Sequence, residues 1–171
     1  MPKNNNNHIL LGLILVFLFA IAMLTACAKI EVIAPAPRPD APQSHALPVD
    51  YDRLWARAIG WFDAYEAEII DIDERGGVIL GKLVLDADSD WLDCGTFKIN
   101  AALSQPKLIQ TATVRVQLRG AFTTHPQVLV VVTGTYKLDL IDNYAAQTIR
   151  KTGPCVSRGL MEREIFRFLV G

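Results

Sequence analysis

Alternating apolar and polar positions predict a β-hairpin in the middle of the chain. From Thr111 to Arg119, valine and leucine alternate with threonine, arginine and glutamine, and the same period of two runs from Val128 to Leu140. This period places apolar side chains on one face of a strand and polar ones on the other. Residues 123–126 between the two segments include a proline and favour a turn. We therefore expect the strands to pair, with one face buried and one in water.

Three further strands are predicted before this hairpin. Residues 68–73 and 78–85 flank the pair Gly76-Gly77, and glycine adopts the positive φ of tight turns at little steric cost. A third strand is predicted over residues 96–103, after an aspartate-rich loop. The sequence thus predicts about five strands in a mostly antiparallel sheet.

Helical periodicity predicts one helix on each side of these strands. After the predicted N-cap Asp50, apolar residues recur at spacings of three and four, at Tyr51, Leu54, Trp55, Ala58 and Phe62. Near the C-terminus, Ser157 is the predicted N-cap and Glu162 is expected to face solvent, while the apolar stripe contains Met161, Ile165, Phe168 and Leu169. The predicted fold class is α+β: an N-terminal helix, about five strands, and a C-terminal helix packed on one face of the sheet.

The start of the chain has the composition of an export signal. An unbroken apolar run from Ile9 to Met23, apart from one glycine, follows a weakly positive start with Lys3. Its length suits the core of a signal peptide and falls short of the roughly 20 residues of a typical membrane span. The alternative is an uncleaved transmembrane anchor over residues 9–26.

The four residues Leu24-Thr25-Ala26-Cys27 resemble the lipobox of bacterial lipoproteins, which requires leucine, two small residues and then cysteine. The resemblance implies that residues 1–26 are a signal peptide, cleaved before Cys27, and that Cys27 is lipidated. Two or more acyl chains would hold the protein firmly in a membrane, since each buried methylene contributes about 0.8 kcal/mol to membrane binding. In this family, an aspartate directly after the lipidated cysteine would imply retention in the inner membrane. Ala28 stands at that position and therefore implies that the lipoprotein is held at the periplasmic face of the outer membrane.

An alanine- and proline-rich segment separates the lipidated cysteine from the predicted domain. Proline cannot donate a backbone hydrogen bond and biases the preceding residue toward extended geometry. Residues 27–48 are therefore predicted to be a tether, and residues 49–171 a single α+β periplasmic domain. Fully extended, residues 28–48 would reach on the order of 65 Å. The alternative is that the proline-rich segment is itself a ligand for a partner.

Two cysteines remain beyond Cys27, and export would place them in an oxidising compartment. Cys94 and Cys155 are predicted to form a structural disulfide that closes a loop of about 60 residues, worth at most about 4 kcal/mol in the chain-entropy model. A redox pair is a weaker alternative because the C-x-x-C spacing is absent. Two free, buried thiols are the remaining alternative.

No metal or cofactor site is predicted. The aspartate-rich loop resembles the start of an EF-hand, but Trp91 stands at the position of the turn glycine and Phe97 at that of the bidentate acid. A solvated loop is favoured, and a looser calcium site stays open as the alternative at Asp86, Asp88, Asp90 and Asp93. The three histidines fall in the leader, the tether and a turn, at His8, His45 and His125.

Charge and motifs exclude several functional classes. The chain has 17 basic and 18 acidic residues, for a net charge of −1, without the basic stripe of nucleic-acid-binding proteins. No phosphate-binding loop, dinucleotide motif or serine-hydrolase elbow is present. We therefore predict no catalytic residues; an envelope enzyme would instead require acidic side chains with raised pKa values clustered in a cleft.

The order of elements resembles the small helix-grip or two-layer domains of periplasmic lipoproteins, including accessory lipoproteins of the outer-membrane-protein assembly machine. This resemblance is architectural, and it implies a non-enzymatic protein-binding, assembly or secretion role with an envelope protein as partner. The alternative is a module that binds a lipid or another apolar small ligand in a cavity of several hundred cubic ångströms.

Overall fold

The computed structural model describes residues 30–38, 44–99, 106–121, 123–142 and 147–171. These residues form nine strands and two helices. The helices are α1 (Tyr51–Ala64) and α2 (Leu160–Val170), and the strands are β1 (Ile30–Ile33), β2 (Ser44–Ala46), β3 (Glu68–Asp73), β4 (Val78–Leu85), β5 (Leu92–Asp93), β6 (Thr96–Ile99), β7 (Lys107–Arg119), β8 (Gln127–Asp142) and β9 (Gln147–Ser157). No helix within these ranges is long and apolar enough to cross a membrane.

A seven-stranded antiparallel sheet forms the centre of the fold. Its strand order is β3-β4-β7-β8-β9-β5, and β2 pairs with the first residues of β8. The longest pairing joins β7 to β8, from Lys107 opposite Asp139 to Arg119 opposite Gln127, so the predicted hairpin is confirmed. Strands β1 and β6 form a separate two-stranded sheet.

The two faces of the large sheet differ in what lies against them. Along β8, Val130 and Leu138 are buried, whereas Leu129 and Val131, which point the other way, are partly exposed. Both helices pack on the buried side against β4, β7 or β8 and contact one another. We name this side the covered face and the other the open face. The large side chains that fill the covered face from the helices are Leu54, Trp61, Phe62, Met161, Ile165 and Leu169.

The predicted α+β class is confirmed, but two details of it are wrong. The first helix is not N-terminal, since β1 and β2 precede it, and the main sheet has seven strands instead of about five. The predicted strand at 96–103 is observed over Thr96–Ile99 and pairs with β1 outside the large sheet, while residues 100–103 lie outside the described residues.

Strand β9 was missed because Gly153-Pro154 is typical of a loop. In the structure, a Cβ atom on Gly153 would lie 2.6 Å from the ring of Tyr136, so only glycine fits opposite that side chain. On the side of β9 that faces away from β8, β5 pairs only at Val156 and Ser157, so no described strand is paired with Pro154 there. The missing N–H of Pro154 therefore removes no hydrogen bond between described strands on that side.

The helix starts were predicted with mixed success. Asp50 caps α1 as predicted, accepting a hydrogen bond from the backbone N–H of Arg53 at 2.9 Å. The N-cap of α2 is Gly159, whose φ of 76° favours glycine, and the prediction of Ser157 was wrong. The prediction that Glu162 faces solvent was also wrong, because this residue is 8% exposed.

Candidate functional site

The open face is a broad surface built by β4, β7, β8 and β9. Because the strands are in register, its side chains form rows across the sheet, and one row contains Leu80, Arg115 and Val131. The neighbouring rows bring four threonines together in a block, with Thr113 opposite Thr133 and Thr111 opposite Thr135. Short hydroxyl side chains thus lie next to partly exposed apolar ones.

Positive charge is concentrated on this face. Alternation places six cations on it, at Lys82, Lys107, Arg115, Arg119, Lys137 and Arg150. Asp139 neutralises part of this charge, because it lies 2.7 Å from Arg150 and 3.3 Å from Lys137. Its pKa is lowered from the usual value, chiefly by the hydrogen bond from Arg150 and further by Lys137. Among the described residues, Lys82 and Arg115 form no ion pair.

The edge strand β3 borders the open face with acidic residues. Glu68, Asp71 and Asp73 are the positions that pair with Lys82, Leu80 and Val78 of β4. Charged side chains on an edge strand oppose uncontrolled pairing with other chains. The open face therefore has a basic centre, apolar and threonine side chains between the cations, and an acidic border.

A groove of about 320 Å³ lies beside the covered face, at the start of α2. Tyr65 and Trp91 line it with ring centroids 5.8 Å apart, and Arg163, Glu164 and Arg167 add charges. Burial and the hydrogen bond to Glu164 raise the pKa of Tyr65. The groove is open to solvent and its lining mixes aromatic rings with charges, unlike an enclosed pocket for an apolar ligand.

The predicted disulfide partners are brought together. The sulfur atoms of Cys94 and Cys155 are 1.97 Å apart, and both residues are buried. Gly134 lies beside them, where an added Cβ would be 2.9 Å from the Cβ of Cys155 and 2.6 Å from Leu92. The predicted lipidation residue Cys27 lies outside the described residues.

The aspartates of the possible calcium loop are partly used in structural contacts. Asp93 accepts a hydrogen bond from the backbone N–H of Gly95 at 2.9 Å, and Asp90 lies 3.4 Å from Arg158. In the described part of the chain, no group of three or more His, Cys, Asp or Glu residues could hold a metal ion.

A contact network that the sequence did not reveal joins the predicted tether to α2. Arg38 lies 2.7 Å from the buried carboxylate of Glu162, and the hydroxyl of Ser157 donates to the same carboxylate at 2.6 Å. Ser157 also accepts from the backbone N–H of Gly159 at 3.0 Å. The only available signal was a single arginine among prolines, which has no period to indicate a buried partner.

No model of a known protein family matches this sequence, and a comparison with curated proteins found no significant match. Function must therefore be inferred from the residues of the chain itself.

Proposed function

We propose that this chain is a lipid-anchored lipoprotein of the bacterial envelope, held at the periplasmic face of the outer membrane by Cys27. Its domain binds another envelope protein through the open face and catalyses no reaction. The lipobox-like sequence Leu24-Thr25-Ala26-Cys27 supports the anchor. The single observation that carries the binding role is the open face, a sheet surface with a basic centre and exposed apolar side chains.

The composition of the open face suits a protein partner. Arginine is enriched in protein interfaces and among the few residues that carry most of the binding energy. Arg115 lies between Leu80 and Val131 in one row, where an acidic side chain of a partner could be desolvated by the two flanking apolar side chains. We propose a partner with an acidic, partly apolar surface, because that chemistry complements this centre.

The alternative role, a module for a lipid or another apolar small ligand, receives less support. The groove at Tyr65 and Trp91 is open to water and carries three charged side chains from α2. Fully buried helix side chains, Trp61 and Phe62 among them, fill space between the helices and the sheet. An apolar ligand is bound best where most of its surface is removed from water.

Metabolic labelling tests the anchor. In a host that processes lipoproteins, we expect a radioactive fatty acid to label the wild-type protein and not the Cys27→Ala variant. The mature protein should also lack residues 1–26 by mass spectrometry. An intact methionine start with an unmodified thiol at Cys27 would contradict the anchor.

Charge reversal on the open face tests the binding role. A photo-crosslinking amino acid at Thr113 should capture a specific envelope protein, and Arg115→Glu should reduce its recovery roughly tenfold, since close interfacial charge pairs are sensitive to reversal. Arg163→Glu on α2 is the matched control, because Arg163 is exposed and lies on the other side of the sheet. Equal losses from both variants, or capture of background proteins only, would refute docking at this face.

A further inference from the structure

We propose that the proline-rich segment is a folded strap that holds the domain directly against the lipid surface. The strap comprises residues 30–48, of which 30–38 and 44–48 are described. This proposal rests on acylation of Cys27. It further specifies which end of the domain lies against the lipid headgroups. It replaces the expectation of a spacer tens of ångströms long.

The first residue of the strap, Ile30, is only three residues away from the proposed lipid attachment site, Cys27. Ile30 starts β1, and every residue of β1 pairs with β6, from Ile30 opposite Ile99 to Ile33 opposite Thr96. Only three peptide steps separate Cys27 from Ile30. Three steps span at most about 11 Å, so an acylated Cys27 would keep the start of β1 within that distance of the headgroups.

The middle of the strap is fixed by the ion pair of Arg38 with Glu162. The carboxylate of Glu162 is nearly buried and accepts a second hydrogen bond from Ser157. Removing Arg38 would leave this buried carboxylate with one partner fewer, which is costly when a charge is shielded from water. The strap is therefore held to the start of α2 by a specific contact.

The far part of the strap is fixed at the opposite side of the domain. Ser44–Ala46 pairs with the first residues of β8, and the ring of His45 meets that of Phe166 with centroids 4.7 Å apart. Leu47 is buried and donates a backbone hydrogen bond to Pro126 at 3.0 Å. With both described parts attached to the domain, neither of them is available as a spacer.

Strand directions show which end of the domain lies nearest to Cys27. Cys94, just before β6, is bonded to Cys155, which lies opposite Gly134 of β8. Further along β6, the ring of Phe97 contacts Tyr136, which is two residues beyond Gly134 on β8. β6 therefore runs toward Asp142, and Ile99 with Ile30 lies toward the end of the sheet where β8 finishes. We name this the Ile30 end; the β3–β4 turn, residues 74–77, lies at the other end.

The Ile30 end has a net positive charge that suits anionic headgroups, with Asp142 at the end of β8 counted among its acidic residues. Lys107 begins β7 there, and Lys151 is exposed near the start of β9. Neither lysine forms an ion pair among the described residues, whereas the nearby Lys98 and Arg150 are paired with Glu31 and Asp139. Free lysines near a negatively charged lipid surface each contribute favourably to its binding.

Lipid photo-crosslinking in membranes tests this orientation. A photo-crosslinking amino acid at the exposed Glu31 should label phospholipid roughly tenfold more than one at Arg75 in the 74–77 turn, because a short connection raises the local lipid concentration. A flexible insertion of about 12 residues between Ala28 and Lys29 should remove most of that difference. Hydrogen exchange should show protected amides in β1 and β2, and Arg38→Ala should weaken this protection more than the exposed control Arg53→Ala.

The outcomes separate the two proposals. Absence of acyl label on the wild-type protein overturns the anchor and this inference with it. Acylated protein that labels lipid equally from Glu31 and Arg75, or that exchanges the amides of β1 and β2 rapidly, overturns only the strap and leaves the lipoprotein proposal standing.

Discussion

The two faces of the large sheet are made by the same strands but differ in burial and in the kinds of side chain they carry. On the covered face, Val114, Val130 and Leu138 are at most 2% exposed and pack with α1 and α2. On the open face, the intervening positions carry threonine, arginine and lysine. Burial of apolar surface is the main favourable term in folding, so stability resides on the covered face. Because stability depends little on the open face, its side chains can be suited to binding a partner.

Matched truncations on β8 test this division most strongly. Leu138→Ala removes a buried side chain from the covered face and should lower the free energy of unfolding by about 2–5 kcal/mol. Leu129→Ala, on the open face of the same strand, should cost less than about 1 kcal/mol because its side chain is already partly hydrated. Urea denaturation of both variants measures the difference. Similar losses would show that the open face is covered in solution.

Removal of the disulfide should have the next largest effect. Cys94, directly after β5, is bonded to Cys155 of β9 with a sequence separation of 61 residues, and the double Cys→Ala variant should lose about 2–4 kcal/mol, as is typical for a native disulfide. The reduced wild-type protein provides the control, since it keeps both side chains. Unchanged thermal unfolding in both would mean that this link adds nothing to the β5–β9 pairing.

Charge reversal in the open face should hardly affect folding. Arg115→Glu should change the free energy of unfolding by less than about 0.5 kcal/mol, as for most surface substitutions. Its effect should appear in partner recovery instead, which sharpens the contrast between the two faces. A loss of stability as large as that of Leu138→Ala would assign Arg115 a structural role.

The smallest expected effect depends on pH. The pKa of Asp139 is lower in the folded protein, chiefly because Arg150 donates a hydrogen bond to it. Its contribution to stability is therefore complete above the unfolded pKa and is lost as the pH falls through the folded pKa. Asp139→Asn should be slightly destabilising at about pH 7 and neutral at about pH 2. A difference that persists in acid would contradict the charge-based explanation.

Periodic segments were the most predictable part of the fold. The β3 and β4 bounds and the β7–β8 hairpin follow from alternation and glycine turns, and α1 follows from its apolar spacing and the Asp50 cap. These features depend on local geometry, which the residues themselves specify. The disulfide pair was predictable for a different reason, because lipidation of Cys27, as the lipobox resemblance implies, would leave two cysteines and therefore one pairing.

Features that depend on distant partners were not predictable. β1, β2 and β5 are two to four residues long, too short for alternation to show, and each exists because another strand offers a free edge. The sequence predicted that one face of the sheet is exposed to water. It did not predict the rows of cations on that face, because these rows depend on the register between strands. Glu162 looked solvent-facing because its partner Arg38 is 124 residues away in sequence.

That separation has a consequence for how the protein is made. The strap leaves the ribosome before the rest of the domain and, in an exported chain, would be translocated before it, yet its partners include β8 and α2, which are synthesised late. Contacts between such distant segments form slowly, because a long chain must close before they contribute. Wherever acyl transfer to Cys27 precedes these contacts, the final docking step would take place on a chain already attached to the bilayer.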